Sequence, residues 1–264
     1  MPYARAFSTL GCPEASPQEA AALAERFGLD GVELRALGGS LDLPEYFART
    51  WKATEGPIGI GAPVLAIDTG WRLADGSGAD RARFLDFLPW AERLGARWLR
   101  VFDGGRGMGG EGLDRAAAAV AWWREARAAN GWKADIMIET HDSMLDAAAV
   151  CRFAAKAPGT AVLWDAFNTW VKSGEDPVAT WAALRREGIA VPHLHVKDGV
   201  RTPRGEYPFT MTLPGNGEFP MGRLKPALES DFDGVLSLEW EAVWHPYLPP
   251  VAEALREAAE KAWW

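Results

Sequence analysis

The sequence predicts an α/β fold of the (β/α)8 TIM barrel type, in which eight parallel strands close into a cylinder. Short apolar runs alternate with longer segments whose apolar residues recur at helical spacing. Such alternation favours parallel strands joined by right-handed helical crossovers. The length of 264 residues also matches the roughly 250 residues that this barrel typically needs.

Eight short apolar runs are predicted as the barrel strands. They are Arg5–Thr9, Gly31–Leu34, Val64–Ile67, Trp98–Phe102, Asp135–Glu139, Ala161–Trp164, Pro192–Val196 and Val235–Glu239.

Helix signals lie between these runs. In Ser16-Pro17-Gln18-Glu19, a capping serine, a proline and an acidic residue open a helix that ends near Gly28. The other predicted helices are Asp80–Leu94, Leu113–Ala129, Ser143–Ala155, Val178–Arg186 and Val251–Ala262.

An open, doubly wound sheet is the alternative architecture. Its dinucleotide-binding form carries a glycine-rich turn after the first strand, but Leu10-Gly11-Cys12-Pro13 lacks that spacing. The glycine pairs Gly104-Gly105 and Gly109-Gly110 follow the fourth strand and are predicted as loop. Because no linker or low-complexity tract divides the chain, we expect a single barrel domain over residues 1–264.

The charge balance excludes several classes of partner. The 28 basic and 36 acidic residues give a net charge of -8, and no run of Lys or Arg offsets it. A phosphate backbone would be repelled, so we expect no nucleic-acid partner. No apolar run approaches the roughly 20 residues that cross a membrane. The opening residues lack a signal-peptide pattern, and Cys12 and Cys151 lie far apart, so we expect a cytoplasmic protein with free thiols.

Four late strands each end in a carboxylate or an imidazole, namely Glu139, Asp165, His195 and Glu239. Catalytic residues of such a barrel project from the C-terminal ends of its strands, so these four side chains are expected to lie close together. Asp165 follows Glu139 by 26 residues and His195 follows Asp165 by 30, close to the roughly 31 residues of one repeat. Glu239 follows His195 by 44 residues, which is longer than one repeat and predicts an insertion at the pocket mouth. The insertion contains Pro214-Gly215-Asn216-Gly217-Glu218.

These four side chains predict a site for one divalent metal ion. Carboxylates beside apolar strand residues are costly to desolvate, and several acids in one place repel one another without a cation. Oxygen and nitrogen ligands favour Mn²⁺, with Mg²⁺, Co²⁺ or Zn²⁺ as alternatives. The other interpretation is that each acid caps a helix or pairs with an arginine.

Seven segments spread over nearly the whole chain carry a family resemblance. They are Gly31-Val32-Glu33, Arg100-Val101-Phe102, Ile138-Glu139-Thr140-His141, Trp164-Asp165, His193-Leu194-His195-Val196-Lys197-Asp198, Pro214-Gly215-Asn216-Gly217 and Leu238-Glu239-Trp240. Together they resemble the xylose isomerase-like sugar isomerases and epimerases, a family that includes the endonuclease IV branch. The resemblance implies that Glu139, Asp165, His195 and Glu239 hold the metal. It also implies that the two glutamates face each other across a bound sugar and move protons.

Two departures from the family pattern bear on the predicted activity. Many members carry Asp-x-x-His on strand six, whereas this chain has Asp165-Ala166-Phe167-Asn168. Asn168 can hydrogen-bond a hydroxyl but cannot exchange a proton near neutral pH. The endonuclease branch uses three zinc ions and additional histidines, and this sequence has four histidines in all. A DNA-repair nuclease is therefore disfavoured.

Five further residues are predicted to contact substrate, namely His141, Asn168, Lys197, Arg201 and Glu33. His141 lies two residues beyond Glu139 and points the same way if the strand continues, with a loop histidine as the alternative. Lys197 shares the face of His195, where it either binds an oxyanion or pairs with Glu239.

The remaining candidates have two interpretations each. Arg201 matches a substrate-contacting arginine of the similar ketohexose epimerases, or it is a surface loop residue. Glu33 faces the pocket or holds Arg35. His193 alternates with His195 but lies deeper in the barrel, where it is expected to support the site residues from behind or to pack. The terminal Trp263-Trp264 pair suggests a protein contact and therefore a homodimer.

Together these features predict an enzyme that isomerises or epimerises a small carbohydrate. The metal would bind a carbonyl and a neighbouring hydroxyl and stabilise an enediolate, while one glutamate removes a proton and the other returns it. Two alternatives stay open: a lyase that eliminates a group beside a ketone on the same scaffold, and a non-catalytic sugar-binding barrel.

Overall fold

The computed structural model describes residues 2–52, 55–75, 78–105 and 110–264. Within these ranges, eight parallel strands form a closed barrel. Their bounds are β1 (Ala4–Ser8), β2 (Gly31–Leu34), β3 (Val64–Arg72), β4 (Trp98–Phe102), β5 (Asp135–Glu139), β6 (Ala161–Asp165), β7 (His193–Val196) and β10 (Val235–Leu238). Two short strands between β7 and β10 form a separate antiparallel hairpin, β8 (Asp198–Val200) with β9 (Thr210–Thr212).

Strands that are neighbours along the chain are neighbours in the barrel. The order runs from β1 through β7 to β10, and β10 pairs with β1 from Ala4↔Val235 to Phe7↔Leu238, which closes the cylinder. Because every pair in the barrel is parallel, all C-terminal strand ends open at one mouth. The predicted (β/α)8 fold class is confirmed.

Helices follow the barrel strands along the described part of the chain. Their bounds are α1 (Pro17–Arg26), α2 (Leu43–Thr50), α3 (Gly78–Leu85), α4 (Leu88–Leu94), α5 (Gly110–Asn130), α6 (Ala147–Lys156), α7 (Ala166–Ser173), α8 (Pro177–Arg186), α9 (Met221–Asp231) and α10 (Val251–Glu260). The capping signal before α1 acts as predicted, because the Glu19 amide donates to Ser16 Oγ at 3.2 Å and the Ser16 amide donates to the Glu19 carboxylate at 2.7 Å. Within the described residues, every helix is too short or too polar to span a bilayer.

Two predicted helices differ from the structure. The predicted helix Asp80–Leu94 is divided into α3 and α4, because Pro89 in the first turn of α4 has no amide hydrogen with which to continue α3. The predicted helix Ser143–Ala155 begins later, at Ala147, where the Asp146 side chain caps the first turn.

The glycine pairs after β4 agree only in part with their prediction as loop. Gly104-Gly105 lies outside the helices and strands. Gly109 lies outside the described residues, and Gly110 begins α5.

The two ends of the barrel interior have different chemistry. A small apolar cluster of Ala66, Met137, Ala161 and Leu163, with Trp98 packed against it, fills the end where the strands begin. Polar and charged side chains are buried toward the opposite end. The barrel is therefore closed by packing below and lined by titratable groups at its mouth.

The insertion predicted after β7 is a loop anchored on one carboxylate. Asp198 accepts hydrogen bonds from the amides of Gly199, Gly215, Gly217 and Phe219 at 2.8 to 3.2 Å. These bonds fix the glycine-containing turn next to the end of β7.

The terminal tryptophans pack within this chain. Trp263 and Trp264 are only 8% and 3% exposed, and the Trp263 ring lies 6.5 Å from that of Phe219. The feature that suggested a homodimer is therefore part of the core, and the homodimer stays a prediction.

Candidate metal centre

Four buried side chains converge at the mouth of the barrel. Glu139 ends β5, Asp165 ends β6, His195 lies in β7 and Glu239 directly follows β10. One ligand atom from each lies within 4.8 Å of the others. The four residues singled out from the sequence are thus brought together.

A carboxylate beneath the cluster orients the imidazole of His195. His195 Nε2 lies 2.8 Å from Glu33 Oε1, and His193 Nε2 lies 2.7 Å from Glu33 Oε2. His195 Nδ1 points the other way, 3.4 Å from Glu239 Oε2 and 3.6 Å from Glu139 Oε1. When Nε2 donates to Glu33, Nδ1 is the nitrogen available to a metal. Glu33 therefore contacts the histidines and not the pocket.

The charges within the cluster set the protonation of its acids. Burial opposes ionisation of Glu239, but the positive charges of His195 and Lys197 outweigh it and hold the pKa of that carboxyl well below its usual range. Burial likewise opposes ionisation of Glu139, and the Arg100 guanidinium lowers its pKa. At Asp165 burial prevails over the nearby Lys197 charge, and its pKa is raised.

Lys197 is fully buried among three carboxylates. Its ammonium lies 2.9 Å from Asp165 Oδ2 and contacts Glu239 and Glu241. Burial would lower the pKa of Lys197, but the negative charges of Asp165, Glu239 and Glu241 raise it well above its usual value. Lys197 therefore carries a positive charge near neutral pH. Of the two predicted roles, it pairs with Glu239.

Two charged residues of the site were not predicted from the sequence. Arg100 Nη2 lies 3.1 Å from Asp68 Oδ2, and its Nε lies 3.3 Å from Glu139 Oε2. Both Arg100 and Asp68 are buried. The signal for each is a charged residue inside an apolar strand, since such a residue is stable there only with a partner.

A cavity of about 420 Å³ lies over the cluster. Its lining includes Arg35, Arg72, Arg100, Phe102, Glu139, His141, Asn168, Lys172, Tyr207, Phe209, Glu239, Glu241 and Trp244.

The predicted substrate contacts take different positions around this cavity. His141 lines it and lies 3.0 Å from Asp142 through Nδ1. Asn168 also lines it and donates through Nδ2 to Asp165 Oδ2 at 2.5 Å. Arg201 does not line it among the described residues, because its guanidinium stacks on the Trp170 ring at 4.0 Å.

The residues present fit a divalent cation. Within the described residues, His195 Nδ1 is buried without a hydrogen-bond partner, a state that costs free energy unless another ligand satisfies it. Glu139 Oε2 has the ion-pair contact with Arg100 but no hydrogen bond in the part of the chain that the structure describes. Three carboxylates and an imidazole are ligands that Mn²⁺, Mg²⁺ and related ions accept. The cluster therefore suggests a divalent-metal site.

The closed barrel and this buried cluster define a TIM barrel protein with a candidate metal centre at its C-terminal mouth. The xylose isomerase-like TIM barrel family matches residues 21–263. The chain belongs to that family, as the sequence resemblance implied. No significant match was found among curated proteins.

Solved structures have the same fold over nearly their whole length. The probable 3-DHS dehydratase AsbF of Bacillus anthracis is 16% identical, with a TM-score of 0.72 over 99% of this chain and 98% of that chain. An IolI protein with a bound zinc atom is 15% identical, with a TM-score of 0.67 over 98% and 96%. A D-tagatose 3-epimerase-like protein is 16% identical, with a TM-score of 0.60 over 98% and 99%. At these identities the likeness establishes the fold alone.

Proposed function

We propose that this chain is a divalent-metal-dependent enzyme that isomerises or epimerises a small, sugar-like substrate by proton transfer. The observation that carries this proposal is the pair of carboxylates Glu139 and Glu239, which approach His195 Nδ1 at 3.6 and 3.4 Å and line one cavity. Glu139 ends β5 and Glu239 directly follows β10, and β6 and β7 lie between these two strands in the barrel. A substrate in the cavity would therefore meet a carboxylate on two sides.

The proposed metal ligands are Glu139, Asp165, His195 and Glu239, and the proposed ion is Mn²⁺. A bound divalent cation would supply Lewis-acid polarisation of a substrate carbonyl, which acidifies the neighbouring C–H bond. The zinc atom in the IolI structure of the same fold supports a metal-dependent activity.

The two glutamates would then move the proton. Their pKa values are lowered despite burial, so both are carboxylates near neutral pH and either can act as the base. Arg100 fixes Glu139 and Lys197 fixes Glu239. Return of the proton to the same carbon on its opposite face gives epimerisation, and return to the adjacent carbon gives isomerisation.

The cavity walls support a carbohydrate as the substrate. Phe102, Tyr207, Phe209 and Trp244 give it aromatic surfaces, against which the C–H faces of a sugar can pack. Polar groups from His141 and other lining residues can bind hydroxyls. This mixture of aromatic and hydrogen-bonding groups is typical of small-molecule pockets.

The test replaces each proposed base without changing its size. Glu139→Gln and Glu239→Gln are expected to lower proton exchange between solvent deuterium and keto-sugar substrates by at least about 100-fold, since a positioned acid or base contributes 10²–10⁴-fold. Exchange is measured by NMR on Mn²⁺-loaded protein, after a screen of keto-sugars and keto-inositols has identified a substrate. Metal content is measured on the same samples.

Glu125→Gln, on the exposed face of α5, is the matched control and is expected to exchange at the wild-type rate. If both site variants retained metal and full exchange, the proton-transfer role would be wrong. If the wild-type protein bound metal and sugars without exchange, the non-catalytic alternative would hold.

A lyase on the same scaffold is the second candidate, because its first step would use the same base. The solved structure of the probable 3-DHS dehydratase AsbF, with a TM-score of 0.72, favours keeping this candidate. Deuterium incorporation without release of a leaving group supports the isomerase or epimerase, and release of a leaving group supports the lyase.

A further inference from the structure

Arg35 stands at the junction of two cavities. It directly follows β2, and its backbone amide and that of Ala36 donate to Thr9 Oγ1 at 2.8 and 3.2 Å. Its side chain lines both the 420 Å³ cavity over the candidate metal centre and a neighbouring cavity of about 460 Å³. The backbone contacts hold Arg35 in place at the edge of the proposed substrate pocket.

The other arginines that line these cavities have carboxylate partners. Arg72 lies 3.3 Å from Asp142, Arg83 lies 2.8 Å from Asp42, and Arg100 lies 3.1 Å from Asp68. The guanidinium of Arg35 has no ion pair or hydrogen bond with any described residue.

Arg35 is half-buried, and its guanidinium is reachable from both cavities that it lines. Burial and the positive charge of Arg100 lower the pKa of the Arg35 guanidinium, while the negative charges of Asp68, Glu139 and Glu239 offset part of that shift. A divalent cation held by Glu139 and Glu239 would neutralise two of those carboxylates. The guanidinium would then face the pocket as an unmatched positive charge.

We propose that Arg35 binds an anionic oxygen group of the substrate, a carboxylate or a phosphate. A planar guanidinium donates two parallel hydrogen bonds to either group. Lys172, an exposed residue, adds a second positive charge to the lining of the same cavity. This inference rests on the proposed function, because it specifies the substrate class of the same site: an acidic or phosphorylated sugar-like molecule.

Binding is tested by calorimetry on Mn²⁺-loaded protein with D-glucuronate, inorganic phosphate and neutral D-glucose. The wild-type protein is expected to bind at least one of the two anions at least about tenfold more tightly than glucose. Arg35→Gln is expected to remove that preference, and Arg35→Lys to retain part of it, since lysine keeps the positive charge but not the two parallel hydrogen bonds. A preference for glucuronate identifies a carboxylate substrate, and a preference for phosphate identifies a phosphorylated one.

Arg186→Gln is the control, because the Arg186 side chain is 72% exposed and pairs with Glu187; it is expected to bind as the wild type does. The inference is overturned if neither anion binds better than glucose, or if Arg35→Gln leaves the preference intact. Proton exchange on neutral sugars without an anion preference would reject this inference alone. An anion preference that depends on Arg35, in a protein that exchanges no proton on any substrate, would reject the proposed function alone.

Discussion

The carboxylate of Glu33 connects two histidines that alternate along β7. Oε2 lies within hydrogen-bond distance of both His193 and His195, and Oε1 lies near His195 as well. Glu33 itself is fully buried. Burial opposes its ionisation, but the charges of His195 and His193 hold its pKa well below the usual range. Glu33 is therefore a positioning residue, which fixes the ring that presents Nδ1 to the cluster.

Glu33→Gln is expected to weaken Mn²⁺ binding by about 10–100-fold, the usual effect of losing a partner that orients a ligating histidine. A glutamine has no negative charge and replaces one acceptor oxygen with an NH₂ donor, so it orients the two imidazoles less firmly. Affinity is measured by calorimetry, with Glu125→Gln as the exposed control. An unchanged metal affinity in Glu33→Gln would contradict the positioning role.

Residues at strand ends could be predicted from the sequence, and those that depend on loops could not. Glu139 and Glu239 each follow an apolar strand, and a closed barrel brings all such ends to one mouth. Arg201 lies after β8, where loop packing places its guanidinium on Trp170. Arg100 lies within β4, where spacing alone does not reveal which carboxylates it meets.

Asp165 takes both roles considered from the sequence, that of a helix cap and that of a candidate metal ligand. It ends β6, and α7 begins at the next residue, Ala166. Asp165 Oδ1 accepts the Asn168 amide at 2.8 Å, so it caps the helix while its side chain also belongs to the metal cluster. The sequence did not predict α7, because it follows β6 with no loop between them.

The conformation of the loop after β7 requires a residue without a side chain at position 217. A Cβ at this position would lie 2.1 Å from Asp198 Oδ1 and 2.5 Å from the Gly199 amide nitrogen. Gly217→Ala is therefore expected to displace the loop and to lower the free energy of unfolding by about 1–3 kcal/mol, as overpacking does. Urea unfolding followed by circular dichroism measures the loss.

Gly222→Ala is the matched control, because Gly222 lies in α9 and has open space where its Cβ would be. Alanine favours the helix there and is expected to stabilise the protein by up to about 1 kcal/mol. Equal effects of the two substitutions would show that the Asp198 anchor does not restrict position 217.

The start of α8 predicts a pH dependence. Asp176 accepts the amides of Val178 and Ala179 at 3.0 and 3.2 Å and pairs with Arg223 at 2.5 Å. Slight burial works against its ionisation, but these contacts lower the pKa of Asp176. A lowered folded pKa contributes stability that is present above the unfolded value of about 3.9 and is lost as pH falls through the folded pKa.

Asp176→Ala is expected to cost about 0.5–2 kcal/mol at pH 7, the usual effect of losing an N-cap, and less at pH 3. Urea unfolding at both pH values measures the difference from the wild-type protein. A larger cost at pH 3 than at pH 7 would contradict the assigned direction of the pKa shift.

Closure of the barrel brings the residues of the candidate site together. Glu33 and Glu239 are more than 200 residues apart in sequence, yet β1 alone lies between β2 and β10 in the barrel. The parallel order of the strands could be predicted from the alternation of strands and helices. A parallel order in turn fixes which strand ends meet. The pairing of individual charges could not, since it depends on the register shifts in β3 and on how the loops pack.

A cluster with this excess of acids predicts that metal stabilises the whole fold. A ligand that binds only the folded state adds about 2.7 kcal/mol to the free energy of unfolding at 100 times its Kd. For a chain of this size that corresponds to a rise in Tm of about 5–10 °C, reversed by a chelator. Differential scanning calorimetry of the metal-free and Mn²⁺-loaded protein measures it. Glu139→Gln removes a proposed ligand and is expected to lose most of the shift, so an equal shift in that variant would mean that Mn²⁺ binds elsewhere.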